Sequence, residues 1–427
     1  MANNLQHNVP IDHVNQRPSI CTVPSVLRDL SPDSFKPQLV SIGPLHKKET
    51  NVQYIDSLKR TYQDDLLNRP TSPPKQPKTK LEDCLEKVNA SIAKIKSSYS
   101  ATEYSEDQLA NMMVMDGCFI LEFCWKDYKE EPSMLKKLQR NRIAVDLMLL
   151  ENQIPFFVLQ DIFDLTKPDS LSLSLTSLLQ KVLLRDLHPF YISPDEFSSP
   201  NVLNNSNHVH VLDCLHKIYQ FESSEIADAR TALNYSHSTV NLMSSGVIFK
   251  PQKNKNTAMA MEFVEASSSA LVPWGKPTLV MPTLVIQNYT EVVLRNFIAY
   301  EQLFPEVNYC FTSYSFAMDK LIDNEADVVK LVESRVLIHH LGFHKEVVKL
   351  IKSICKNIEV EQFYYSKEIK ALDKYYNSFW PYNLGDLRRK YFDSPWAIMN
   401  VLVIYLSLIQ TVYAILSYVD KSSSDKR

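Results

Sequence analysis

Glycine is scarce in this chain, and its scarcity limits the folds that the chain can adopt. Only 6 of the 427 residues are glycine. Tight turns between strands and loops that cradle nucleotides both depend on glycine, because it reaches positive φ more readily than other residues. We therefore expect a mainly α fold: a helical soluble domain with a small β element, and neither a β-sandwich nor a nucleotide-binding fold.

The length and the charge of the chain limit its domains and its partners. A chain of 427 residues is long enough for one large or two ordinary domains. We predict a flexible N-terminal arm (1–18), a helical domain (19–392) with a sub-boundary near 190–207, and a short polar tail (420–427). The formal net charge is -3 with both signs interspersed, so we expect no nucleic-acid partner.

Residues 395–419 form a long apolar run without a charged side chain. About 25 residues at about 1.5 Å each would extend about 37 Å, whereas the hydrocarbon core of a bilayer is about 30 Å thick. We therefore predict one C-terminal transmembrane helix, with the lipid bilayer as its partner. A fully buried core helix is the alternative interpretation.

The cysteines and the amino terminus predict the compartment. The 7 cysteines are scattered and include no C-x-x-C pair, which is typical of reduced thiols. The first residues are polar and lack the apolar region of a secretory signal. We expect a single-pass membrane protein whose soluble domain lies in the cytosol, and the plasma membrane is one candidate location.

Local patterns predict several elements. Apolar residues recur at helical spacing over 346–358, which predicts a surface helix. Asn288 is a predicted N-cap for the next helix, in which Glu291 and Arg295 have the spacing of an ion pair. Strand-like runs occur at 247–249, 259–264 and 279–286.

The proline-rich segment at residues 69–80 separates two helical patterns. Its composition favours an exposed linker, and a polyproline II ligand is the alternative. Further breaks are predicted at 192–207, 251–256 and 266–277.

Asp116 and Glu151 are the acidic residues most relevant to catalysis. Asp116 lies on an apolar helical stripe, which predicts either a shifted pKa or a structural partner such as Arg142. Glu151 precedes two amides, and this pattern predicts a helix that stops at Asn152 and restarts with Pro155, with the amides satisfying backbone groups. A role for Glu151 as a general acid or base is the alternative.

Histidines occur in two groups, and neither has the spacing of a known metal motif. His339, His340 and His344 lie near Glu346, where a turn with solvated histidines is the better interpretation, although His340 and His344 have i,i+4 spacing. The second group is loose and consists of His208, His210, Cys214 and His216. The usual nucleotide and hydrolase motifs do not occur, so we predict no catalytic, cofactor-binding or metal site.

Several distinctive blocks occur in order along the chain. They are 20–24 (ICTVP), 35–44 (FKPQLVSIGP) with His46, 116–121 (DGCFIL), 146–159 with its LENQIPFF core, 294–302 (LRNFIAYEQ), 327–331 (DVVKL) and 391–396 (YFDSPW), followed by Gln410 and Thr411. This series resembles a plant family of unknown function, DUF247, also called UPF0481. The chain departs from the family pattern at 45–49 and 238–249.

The resemblance implies a plant membrane-associated protein of mostly helical fold, with no established catalytic residues. Characterised members of the family resemble pollen-side determinants of self-incompatibility, which act by recognition. Our first hypothesis is therefore a membrane-anchored recognition module that binds an unidentified protein through the loops at 192–207 and 251–277. The alternative is an enzyme that uses Asp116, Glu151 and His344.

Overall fold

The computed structural model describes most of the chain. The described residues are 17–49, 55–71, 73–132, 135–185, 187–190, 207–220, 235, 237–252, 259–265, 276–378 and 395–424. Most of the predicted N-terminal arm therefore lies outside the described residues. The same is true of most of the two predicted recognition loops and of the predicted sub-boundary near 190–207.

The first half of the described chain is helical. Its helices are α1 (Ser25–Arg28), α2 (Asp56–Asn68), α3 (Pro77–Ala90), α4 (Ile92–Ser97), α5 (Glu106–Tyr128), α6 (Lys137–Asp146), α7 (Phe156–Thr166), α8 (Leu175–Leu183) and α9 (Val211–His216), with short 3-10 turns at Pro32–Ser34 and Lys217–Tyr219. Helix α5 is central, because α2, α3, α7 and α8 all pack against it.

Helix α5 has a well-defined start and a close neighbour. Ser105 and Gln108 form a capping box at its N-terminus, which satisfies two backbone N–H groups that the helix itself leaves without partners. A Cβ added at Gly117 would lie 2.4 Å from Ile162 Cδ1 on α7. Glycine at this position therefore allows the two helices to pack closely.

The second half combines helices with two small sheets. The elements are α10 (Thr239–Ser244), β1 (Ile248–Pro251), β2 (Glu262–Val264), β3 (Thr278–Met281), β4 (Leu284–Ile286), α11 (Thr290–Leu303), α12 (Cys310–Leu321), α13 (Glu325–Glu333), β5 (Leu337–His339), α14 (His344–Ile354) and α15 (Ser366–Tyr376). One sheet has the order β1-β3-β2, and the other pairs β4 with β5 in parallel. The small β element was predicted, but β5 was missed.

One hydrophobic core extends through the described residues from Ile20 to Leu372. Helix α14 packs on this core through Val347, Leu350 and Ile351, as its sequence periodicity predicts. The helix ends at Ile354, before the end of the predicted stripe.

Three predicted boundaries differ from the structure. Helix α11 begins at Thr290 rather than after a cap by Asn288, because the Thr290 hydroxyl accepts the Gln287 N–H at 2.8 Å. Helix α6 ends before Asn152, and Pro155 is the N-cap of α7.

The predicted ion pair is confirmed: Arg295 Nε donates to Glu291 Oε1 at 2.9 Å.

The proline-rich segment is more integrated than a plain linker. Pro77 begins α3, where proline is favoured because the first N–H has no helical partner. Lys80 is buried, and its Nζ donates to the carbonyls of Leu67 at 3.0 Å and Arg69 at 2.5 Å. The end of α2 and the start of α3 are thus tied together.

The last described element is helix α16 (Pro395–Ser424). Among the described residues, no helix is long and apolar enough to cross a membrane. The predicted transmembrane helix over 395–419 is therefore wrong for the described part of the chain, and the fold is corrected to mainly helical with small sheets. Ser407, Gln410 and Thr411 interrupt the apolar residues of α16 and lower its average hydrophobicity.

Candidate functional site

Residues 20–46, here called the N-terminal strap, run across α5 and the loop between α6 and α7. This strap is bound, through its backbone and its charged groups, by four buried side chains: Asp116, Asp146, Glu151 and Asn152. We call these four residues, together with the neighbouring buried Gln153, the strap cradle.

Glu151 binds the first part of the strap. Its Oε1 accepts the Val23 N–H at 2.6 Å and forms an ion pair with Arg28. Its Oε2 lies 3.0 Å from His46 Nε2, whose Nδ1 is 2.7 Å from Glu49. Burial by itself would raise the pKa of Glu151, but the hydrogen bonds from His46 and Val23 outweigh burial and lower it. Burial would likewise lower the pKa of His46, yet its two carboxylate partners raise it.

Asp116 joins the strap to α2. Lys59 Nζ donates to its Oδ1 at 2.5 Å, and the Gly43 N–H donates to its Oδ2 at 2.8 Å. Both charged side chains are 1% exposed, so this is a fully buried ion pair. The predicted structural role fits this geometry, but the partner is Lys59. Arg142 lies instead 3.6 Å from Asp146.

Asp146 and Asn152 bind the middle of the strap. The carboxylate of Asp146 accepts the backbone N–H groups of residues 38–40 at 2.7 to 3.1 Å. Asn152 Oδ1 accepts the Ile42 N–H at 2.6 Å, and its Nδ2 donates to the carbonyls of Val40 and Asp146. The cradle side chains therefore bind the backbone of the strap in the way that a protein binds a separate peptide.

Gln153 completes the loop itself. Its Nε2 donates to the carbonyls of Leu147 at 2.9 Å and Leu149 at 2.8 Å, and its Oε1 accepts the Leu212 N–H at 3.2 Å. These bonds confirm the prediction that the amides at this break satisfy backbone groups.

The three residues of the enzyme hypothesis have separate surroundings. Asp116 and Glu151 both hold the strap, whereas His344 lies at the start of α14, where its Nδ1 is 2.9 Å from His339 Nε2. The imidazole next to His344 is that of His339, which lies on strand β5. It is not that of His340, although His340 and His344 have i,i+4 spacing in the sequence. Burial and the neighbouring His344 lower the pKa of His339.

A second buried cluster brings together His216, Glu301 and Cys310, which we call the buried triad. His216 Nε2 lies 2.7 Å from Glu301 Oε1, and Cys310 Sγ lies 3.6 Å from the imidazole nitrogen and 3.4 Å from the same carboxylate oxygen. The three residues are 0 to 1% exposed. Burial and the adjacent carboxylate raise the pKa of the Cys310 thiol far above its ordinary value.

The triad lies at the N-terminus of α12. Glu301 accepts the N–H groups of Phe311 at 2.8 Å and Thr312 at 2.7 Å, so it also caps this helix. Two buried polar atoms here, His216 Nδ1 and Thr312 Oγ1, have no hydrogen-bond partner among the described residues. Sequence reasoning named His216 but missed the other two triad members, because their separation along the chain resembles no motif.

An open cleft of about 430 Å³ lies where α2, α5 and α6 meet. It has an apolar part and a charged part, and we call it the charged cleft. Its lining residues are Tyr62, Phe123, Lys126, Asp127, Glu130, Glu131, Leu135, Lys137, Arg140 and Arg185.

Ion pairs hold two acidic residues of the charged cleft, Asp127 and Glu131. Asp127 is paired with both Arg140 and Arg185, the latter at 2.9 Å. Glu131 is held by Arg69 at 2.6 Å and accepts the Trp125 indole N–H at 2.9 Å. The carboxylate of Asp127 is thus shared by two guanidinium groups at the cleft.

The structure is that of a helical domain with a small β element, in which buried acids bind the chain's own N-terminal strap. The chain belongs to the DUF247 family, described as plant proteins of unknown function, whose model matches residues 20–410. The matched region includes both the strap cradle and the buried triad.

Two Arabidopsis thaliana proteins are similar to this chain over most of their length. UPF0481 protein At3g47200 is 27% identical over 441 residues, covering 94% of this chain and 87% of the relative. Putative UPF0481 protein At3g02645 is 24% identical over 489 residues, covering 95% and 90%. No solved structure matches this chain.

Proposed function

We propose that this protein is a recognition module without catalytic activity, which binds an acidic segment of a partner protein in the charged cleft. The observation that carries the proposal is an open cleft in which two guanidinium groups, those of Arg140 and Arg185, lie beside apolar side chains. An incoming carboxylate would compete with Asp127 for charge-assisted hydrogen bonds from these guanidinium groups.

The apolar part of the charged cleft supports a protein segment as the ligand. Tyr62, Phe123 and Leu135 contribute apolar surface beside the charged groups. Leu138, on the same helix as Arg140, is 72% exposed. Interfaces commonly combine such apolar anchors with arginine, so the favoured ligand carries one apolar side chain next to an acidic one.

The roles of the candidate catalytic acids also support recognition. Asp116 binds the strap and Lys59, and Glu151 binds the strap, so neither oxygen of either group is available to a substrate in this conformation. A role in pollen-side self-incompatibility stays a prediction from the family resemblance.

The proposal can be tested by measuring the binding of fluorescent acidic peptides to the full-length protein. The peptides would contain Glu and Leu residues, and a matched set would carry Lys in place of Glu. We expect Arg185→Glu to weaken binding of the acidic set about tenfold or more, because it replaces attraction with repulsion. Higher salt should weaken binding by the wild type as well.

Lys78→Glu is the matched control, since Lys78 is 88% exposed on α3 and is not among the cleft residues. It makes the same change of charge and should leave the affinity within about twofold. Equal binding of the acidic and lysine sets, or equal effects of the two variants, would refute the proposal.

A further inference from the structure

We infer that the buried triad is a structural zinc site, in which His216 Nε2, Glu301 Oε1 and Cys310 Sγ bind one Zn²⁺ and join α9, α11 and α12. Imidazole nitrogen, carboxylate oxygen and thiolate sulfur are the three kinds of protein ligand that zinc prefers. The three ligand atoms already lie together in the protein interior.

The distances between the ligand atoms fit a tetrahedral ion. Zinc bonds of about 2.0 to 2.3 Å at the tetrahedral angle separate neighbouring ligand atoms by about 3.3 to 3.6 Å. Cys310 Sγ lies 3.6 Å from His216 Nε2 and 3.4 Å from Glu301 Oε1. The imidazole and the carboxylate, 2.7 Å apart, need to separate by about 0.6 Å to admit the ion.

The charges of the site balance when zinc binds. The Cys310 thiol loses its proton to solvent as the sulfur–zinc bond forms, so Zn²⁺ is matched by one thiolate and one carboxylate. A neutral assembly of this kind avoids the large cost of a lone buried ion. The N-terminus of α12 adds favourable partial charge beside both anionic ligands.

The polar atoms beside the three ligands are not all paired. Thr312 Oγ1 and His216 Nδ1 are two of the buried polar atoms in the described region that have no hydrogen-bond partner. A tetrahedral zinc ion would take a water molecule as its fourth ligand. Because the triad is 0 to 1% exposed, we assign the ion a structural rather than a catalytic role.

The test measures metal in the full-length protein, produced with added zinc and purified without metal-affinity chromatography. Mass spectrometry should find about one zinc ion per chain. Cys310→Ser and His216→Gln should each reduce the content to below about a fifth of this value. Cys355→Ser is the control, because Cys355 donates to the Ser315 carbonyl at 3.3 Å and lies outside the triad; it should retain the zinc.

A second measurement does not depend on the folding of any variant. Wild-type protein unfolded in chelator and refolded with Co²⁺ should show a thiolate-to-cobalt charge-transfer band in the near ultraviolet. Zinc below about a tenth of an ion per chain together with no cobalt band would overturn the inference. Full metal content in both triad variants would also overturn it, because the ion would then bind elsewhere.

Discussion

The strap cradle and the buried triad are both buried polar clusters, but they differ in how completely their atoms are paired. Every side-chain oxygen and nitrogen of the five cradle residues has a hydrogen-bond partner. In the triad, His216 Nδ1 has no partner among the described residues, and unpaired buried atoms lie beside both clusters, at Thr312 Oγ1 and at Ser41 Oγ of the strap. The cradle side chains are satisfied by the chain segment that they hold, whereas the triad places three possible metal ligands together in the interior.

The buried ion pair of the cradle should give the largest effect. Lys59→Met leaves Asp116 as an uncompensated buried charge, so we expect the free energy of unfolding to fall by about 3 to 5 kcal/mol. The double variant Lys59→Met with Asp116→Leu should recover much of this loss. Urea denaturation provides the measurement.

Lys96→Met is the control for this prediction. Its ion pair with Glu106 is 2.7 Å long but lies at the surface, where such pairs contribute about 0 to 1 kcal/mol. Similar losses of unfolding free energy for Lys59→Met and Lys96→Met would show that water screens the ion pair of Lys59 and Asp116.

The amide of Asn152 should have the next largest effect. Asn152→Ala leaves the Ile42 N–H and the Val40 carbonyl without the partners that Asn152 provides, which should cost about 2 to 4 kcal/mol in urea denaturation. Asn111→Ala is the control, because Asn111 is an exposed residue of α5 that donates only to the Asp107 carbonyl. A loss of less than about 0.5 kcal/mol for Asn152→Ala would mean that the strap is not held by these bonds.

The pair of His46 and Glu151 should make stability depend on pH. Because the pKa of His46 is raised on folding, its contribution is complete below its unfolded pKa of about 6.5 and is lost as the pH rises through the folded value. The pKa of Glu151 is lowered, so its contribution is present above about pH 4.5 and is lost on acidification. Both contributions are therefore present between about pH 5 and 6.

His46→Gln tests this dependence. The variant should be about 1 to 2 kcal/mol less stable than wild type at about pH 5.5, and the difference should shrink at about pH 9. His340→Gln, at an exposed position, should show no such change. A constant difference between wild type and His46→Gln across this range would contradict the charged pairing.

The smallest change in stability is expected for Thr312→Val. The informative result is whether this change is a loss or a gain. In metal-free protein, Thr312→Val removes a hydroxyl that has no partner among the described residues, so thermal denaturation should show no loss or a gain of up to about 1 kcal/mol. Thr290→Val should instead cost about 1 to 2 kcal/mol, because that hydroxyl bonds both Gln287 and Val285. A loss at Thr312 equal to that at Thr290 would show that the triad region is complete without a ligand.

Local patterns predicted much of the fold but little of the site. The periodicity of α14 and the ion pair of α11 follow from residues within one or two turns, and both were found. The short strand β5 was missed, because its pairing with β4 depends on residues far away in the chain. The polar break at Asn152 and Gln153 was predicted, but the strap that it binds was not.

The sequence by itself determined that this protein is mainly helical, because few glycines and regular apolar spacing act within single elements. Tertiary packing decided which charges meet. It placed Lys59 beside Asp116, and it brought His216 to Glu301 and Cys310 across separations of 85 and 94 residues. Spacing along the chain carries no record of such contacts, since the free energy that favours them arises when distant elements bury their surfaces together.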